Sequence, residues 1–151
     1  MKCKTFLFSI CALCGAMLFA DGVTVETYPD ADAVSVKSIR TITYRADGTY
    51  VDQDEEWVKV LTDKGRREES EFALRYSAGY GAARIISVGI IDENGVVREV
   101  DVSSTTKETT DNSSMDENIY DPMHRQIVCH VPGLKVGETI HYIYERSAFK
   151  S

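Results

Sequence analysis

The stretch Val131-Pro132-Gly133-Leu134-Lys135-Val136-Gly137-Glu138-Thr139-Ile140-His141-Tyr142-Ile143-Tyr144-Glu145 reads as a loop feeding a half-buried β-strand. Pro132 sets one backbone angle, and Gly133 and Gly137 permit tight bends. Ile140, Tyr142 and Tyr144 then alternate with His141 and Glu145. A period of two places one set of side chains on a core and the other toward water.

The same period recurs upstream. From Val34 onward, Val34, Val36, Ile42 and Tyr44 are expected to share a face, with Ser38 and Arg40 interrupting them. Ala46-Asp47-Gly48-Thr49 is a turn, and a second strand follows through Tyr50 to Leu61. Its end, Trp57-Val58-Lys59-Val60-Leu61, is dense enough in β-formers for a strand covered on both faces. Thr62-Asp63-Lys64-Gly65 is read as the next turn, and Arg66 to Glu71 would tolerate a helical turn. Phe72, Leu74 and Tyr76 form another alternating run, and Ser77 to Gly81 a loop.

The clearest local signal is Asp92-Glu93-Asn94-Gly95 between Ile86, Val88, Ile90 and Val96, Val100, Val102. Asn-Gly supplies the left-handed backbone of a tight hairpin. Residues 103–114 hold eight serines and threonines in twelve positions, and the polar stretch runs to about Met123 as a long link. The last two runs, Arg125 to Val131 and Thr139 to Ser147, are expected to form a hairpin-like unit. Many short strands at turn-spaced intervals predict an all-β fold, an antiparallel β-sandwich or an open barrel-like sheet.

Lys2 and Lys4 precede an apolar run from Phe6 to Ala20, and polar Asp21-Gly22 follows. A charged start, a short apolar core and a small residue at the exit describe a signal peptide over residues 1–20. The run is short of the roughly 20 residues that span a membrane. A lipid-modified Cys14 is disfavoured because Cys11-Ala12-Leu13 makes a poor lipobox. The organisation is then a signal peptide (1–20), a lead-in (21–33), a β-domain (34–147), and the start of a linker or the chain end (148–151). The expected location is extracytoplasmic, periplasmic or secreted, after cleavage near Ala20. Membrane contact would come only through an uncleaved signal segment.

Cleavage removes Cys3, Cys11 and Cys14 and leaves Cys129 alone, so no disulfide within the chain can staple the domain. It also removes two of the 17 basic residues, so 15 remain against 24 acids, a formal charge of −9. Such a surface repels phosphate backbones, and no nucleic-acid partner is expected.

Cys129 is the one mature candidate nucleophile. Neighbouring strand residues point apart, so His130 cannot serve it. If the last two strands paired with Val131 opposite Thr139, Cys129 and His141 would become cross-strand neighbours. Even then no helix N-terminus or basic cluster would activate the thiol, and no third group orients the histidine. A structural core cysteine is the expectation, with no catalytic residue. Asp52, Asp54, Glu55 and Glu56 lack the glycine-punctuated spacing of a calcium loop and read as a solvated edge. His124, His130 and His141 lack zinc-ligand spacing. Gly79 and Gly81 flank Tyr80 without a phosphate-loop or dinucleotide fingerprint, so no cofactor is expected. Asn112-Ser113-Ser114 is a formal glycosylation acceptor, relevant only in a eukaryotic secretory pathway. Trp57 and the tyrosines could line a sugar or peptide site, or fill a core.

Five phrases occur in one order: Thr41-Ile42-Thr43-Tyr44 with Asp47-Gly48-Thr49; Trp57-Val58-Lys59-Val60-Leu61-Thr62 with Gly65; Tyr76-Ser77-Ala78-Gly79-Tyr80; Ile91 with Gly95-Val96-Val97-Arg98-Glu99-Val100; and the opening stretch. Together they resemble the bacterial domain of unknown function found N-terminal to transglutaminase-like cores in exported proteins. The likeness covers roughly Tyr28 to Arg146. It implies a β-sandwich-like accessory domain and not an enzyme, since in that family the papain-like Cys, His and Asp lie downstream. No catalytic residue carries over, and Cys129 falls in the accessory domain's penultimate strand. The expected partner is a transglutaminase-like or peptidase-like core, either beyond a truncation or on a separate protein. The alternative is a stand-alone glycan- or peptide-binding module.

Overall fold

The computed structural model describes residues 22–111 and 122–149. Its strands are β1 (Ala33–Tyr44), β2 (Tyr50–Val60), β3 (Glu71–Ser77), β4 (Gly81–Ile91), β5 (Val97–Val100), β6 (Thr106–Thr110), β7 (His124–His130) and β8 (Thr139–Ala148). Two short helices intervene, α1 (Asp63–Glu69) and α2 (Val102–Thr105). The strands form two antiparallel sheets, β1-β2-β8-β4-β5 and β3-β7-β6, and neither closes into a barrel.

The alternation in the opening stretch is realised. Ile140, Tyr142 and Tyr144 of β8 face the second sheet, in register with Val58, Glu56 and Asp54 of β2 and with Ile90, Val88 and Ile85 of β4. Val58, Val60, Val88, Ile90, Val100, Ile140 and Tyr142 meet Cys129, Val131 and Leu134 in one core, with Phe72 packed against it. The Phe72 ring stacks on Tyr142 at 4.8 Å and lies 5.2 Å from Tyr144, so aromatic contacts join the layers. Leu74 of β3 is also fully buried.

The turns follow their glycines. Gly95 adopts a φ of 76°, and Asp92 exchanges backbone contacts with Gly95 and Val96 across the β4–β5 hairpin. Its carboxylate also accepts from the N–H groups of Asn94 and Val96. Gly133 and Gly137 likewise take positive φ, and the loop between them is pinned by side chains. Arg98 donates to the carbonyls of Pro132 and Gly133, and buried Glu138 accepts from the Lys135 N–H.

Four expectations about the elements and their pairing fail. The last two runs are not a hairpin: β7 pairs with β3 and β6, whereas β8 pairs with β2 and β4. The loop between them crosses from one layer to the other, which periodicity within each run cannot reveal. A bulge at Val36 shifts the β1 register, so Val34 sits opposite Lys59 while Ile42 and Tyr44 fall on the other face. Thr62 is a helix N-cap, its hydroxyl accepting from the Gly65 N–H, and α1 replaces the expected turn. Finally, part of the polar stretch after residue 102 is α2 and edge strand β6; residues 112–121, including Asn112-Ser113-Ser114, lie outside the described residues.

Candidate functional site

Cys129 and His141 lie in different sheets. Cys129 is on the inner face of the three-stranded sheet, between Phe72 and Thr106, and is wholly buried. Its thiol lies 3.7 Å from Thr105 Oγ1, and burial raises its pKa. A buried, protonated thiol is a poor nucleophile. His130 points away from the core and forms an exposed pair with Glu71. His124 starts the same strand, so the three histidines do not converge.

His141 lies on the opposite face of the five-stranded sheet, where it stacks on Trp57 at 4.3 Å with the rings 8° from parallel. Its Nε2 is 2.8 Å from Glu55 Oε1. Lys37 Nζ sits 4.5 Å from the centre of the Trp57 ring. Trp57 is therefore buried on a face away from the inter-sheet core, covered in part by flanking side chains. It offers no open ring to a sugar.

The acidic run is not a solvated edge, because β2 is an interior strand. Glu55 faces His141, while Asp52, Asp54 and Glu56 share the inward side. Asp52 is only 3% exposed; Arg40 donates to both its oxygens, Nε at 2.8 Å and Nη2 at 2.6 Å. Those bonds hold the Asp52 carboxyl below the ordinary carboxylate range. Arg146 donates to Asp54 at 3.3 Å, so two arginines and two aspartates form a balanced network. Arg40 and Asp54 are symmetric about the 45–49 turn, a relation legible once that turn is recognised.

Beyond this network the sheet ends in exposed aromatics. Tyr44, Tyr50, Ala148 and Gly81 form one row across four strands. The Tyr44 and Tyr50 rings are 5.8 Å apart, and Phe149 N–H donates to the Tyr80 carbonyl. Tyr44 is 72% exposed, Tyr80 67% and Phe149 54%. Sequence reading places Tyr80 in a loop but does not show that Tyr44 and Tyr50 stand exposed at the same end of the sheet, because they look like ordinary alternating strand residues.

Two clefts remain. One of about 310 Å³ lies beside the Pro132–Gly133 bend and is lined by Arg66, Ser70, His130 and Leu134. The other, about 240 Å³, opens at the side of the sandwich and is lined by Arg84, Ile85, Val102, Thr106, Glu108 and Ile127. Among the described residues, no cluster of three or more His, Cys, Asp or Glu is arranged to hold a metal.

Residues 46–151 match the family model DUF3857, a "Domain of Unknown Function with solved-structure structure"; β1 lies before the matched span. Among solved structures, a "putative protease" from Parabacteroides distasonis ATCC 8503 superposes with a TM-score of 0.67 at 19% identity. The match covers 80% of this chain and 24% of that one, so this chain spans about a quarter of that protein's length. The CBM3a-L domain from scaffoldin cipA of the Clostridium thermocellum cellulosome matches with a TM-score of 0.41 at 15% identity, over 78% of this chain and 68% of that one. A family 3a carbohydrate-binding module from the same scaffoldin gives 0.37 at 15% identity, covering 75% of each chain. No curated protein matches the chain.

Proposed function

The chain belongs to the DUF3857 family, and from that premise we propose that it is a non-catalytic, exported accessory module for a transglutaminase-like or peptidase-like core. It docks against that core or presents substrate to it. The observation that carries this reading is the aromatic end of the five-stranded sheet, where Tyr44, Tyr80 and Phe149 stand in water. Large rings left exposed at the end of a sheet release hydrophobic free energy only when another surface covers them. The sequestered Cys129, one layer away from His141, supports the same view: the chemistry is supplied by another domain. The Parabacteroides distasonis protein, in which this fold occupies 24% of a longer chain, offers a parallel arrangement.

The test offers the purified domain transamidation and peptidase substrates, alone and with a separately purified transglutaminase-like core. The domain alone turns nothing over, and its association with the core weakens when Tyr80→Ser and Phe149→Ser are combined. Turnover by the domain alone that disappears in Cys129→Ser would refute the reading. Export belongs to the same proposal. The intact mass of protein recovered outside the cytoplasm should begin at Asp21, and a product retaining Phe6 contradicts it. The rival glycan-binding reading would rest on exposed Tyr44 and Tyr80, since Trp57 is covered. Saturable oligosaccharide binding lost in Tyr44→Ala would favour that rival.

A further inference from the structure

The five-stranded sheet is one strand short along part of its length. β5 covers β4 only from Val88 to Ile91, so Gly81 to Ile86 has β8 on one side and no described strand on the other. The ladder shows which groups are left over. Phe149 N–H bonds the Tyr80 carbonyl, so the alternating Ala82–Ser147 and Arg84–Glu145 pairs are also the hydrogen-bonded ones. The backbone N–H and C=O of Ala83 and Ile85 therefore point to the open side. A bulge between Ile85 and Ser87 marks where β5 departs.

The side cleft lies along this same edge. Arg84 and Ile85 project to opposite faces of β4, so a cavity that touches both must reach the side of the strand. Its other wall is Val102 of α2, Thr106 and Glu108 of β6, and Ile127 of β7. The charges at its rim are already engaged. Arg84 forms a two-bond pair with Glu145, while Glu108 accepts from Tyr76 and Arg125. The space left between Ile85, Val102 and Ile127 suits a neutral apolar side chain.

We propose that the open edge of β4 at Ala83 and Ile85 accepts an extended segment of the partner protein as an added strand, with one large apolar side chain seated in the 240 Å³ cleft. An unpaired edge offers donors and acceptors at strand spacing, which a strand satisfies better than a helix or a loop. A second copy fits poorly. Pairing β4 with itself about Ala83 sets Gly81 opposite Ile85, pairing about Arg84 offers only the Ala83 methyl there, and pairing about Ile85 sets the copy's Gly81 opposite Gly89, where β5 already pairs. Residues 112–121, Asn-Ser-Ser-Met-Asp-Glu-Asn-Ile-Tyr-Asp, lack the alternation of a strand. The inference rests on the accessory reading only for the owner of the added strand.

The experiment measures amide hydrogen exchange at Ala83 and Ile85 in the whole domain with a short peptide of alternating threonine and isoleucine. Binding slows both amides by at least about tenfold. The same peptide N-methylated at the positions facing β4 has no effect. Ala83→Pro removes one edge N–H without touching the β8 ladder and should abolish protection; if it fails to fold, the N-methylated peptide supplies the same control. Unchanged exchange, or equal binding of the methylated peptide, overturns the proposal. So do amides already protected in the free domain, with sedimentation separating a second copy from residues 112–121. Failure here leaves docking to the core intact, whereas failure of the accessory reading appears as turnover by the domain alone.

Discussion

Replacing Cys129 by alanine tests whether the single mature thiol is packing or chemistry. The sulfur is fully buried between the layers, so its removal forfeits about 0.8 kcal/mol of transfer free energy, as for a methylene-sized group. A sulfur-sized void of roughly 20 Å³ adds about 0.5 kcal/mol at about 24 cal/mol per Å³. No polar group is orphaned, because the Thr105 hydroxyl donates to the Asp101 carbonyl at 2.8 Å. The expected loss is about 1.3 kcal/mol, equivalent to about 5 °C in Tm for a domain of this size. Urea unfolding should show a lower midpoint with an unchanged slope. In the wild type, iodoacetamide near pH 7 should alkylate the folded chain at least about 10³-fold more slowly than the denatured chain, because the thiol is reached only through unfolding. Folded-state alkylation as fast as that of a free thiol would refute the reasoning, as would a loss well above 3 kcal/mol.

Leu74→Ala should cost more, about 3 kcal/mol by urea unfolding, since the side chain is fully buried in the smaller sheet. A loss below about 1 kcal/mol would mean the layers close over the void. Gly65→Ala should destabilise the domain although alanine favours helices by about 1 kcal/mol, because its methyl would strike the Asp32 carbonyl; a more stable variant would contradict that packing. The Asp52–Arg40 pair predicts an acid-side dependence. The Asp52 pKa is lowered in the folded state, so the pair's contribution is complete above the unfolded carboxyl's value of about 3.9 and disappears as pH falls through the folded value. Asp52→Asn should flatten the fall in urea midpoint between neutral and acid pH, and a slope identical to the wild type would show that Asp52 is not a source of it.

Local signals in the sequence were sufficient for most of the strands and for the Asp47-Gly48 and Asn94-Gly95 turns, but not for α1 or β6. The period of two in β8, the Asn94-Gly95 bend and the density of β-formers around Trp57 all depend on contacts within a few residues, and each appears where expected. Asp47-Gly48 likewise sets the symmetry that brings Arg40 to Asp54, and Gly48 has a φ of 83°. Cys129 as a core residue was also legible, from its apolar neighbours.

Layer assignment was not. Strands β7 and β8 are adjacent in sequence and equally regular, yet a short pinned loop carries the chain from one sheet to the other, so the expected hairpin does not form and no register can bring Cys129 beside His141. The interior position of β2, which buries Asp52, depends on β8 arriving from about ninety residues further along the chain. Among the described residues, Gly81 to Ile86 of β4 has no strand on its outer side, because β5 is four residues long and leaves at a bulge. Alternation and turn chemistry are local properties, so the amino-acid sequence by itself determined the regular strands such as β8 and the glycine-led bends. Which strands share a sheet depends on long-range packing, and the tertiary structure alone decided that Cys129 and His141 lie in different layers, that His141 and Lys37 are what cover Trp57, and that no described strand lies beside Gly81 to Ile86.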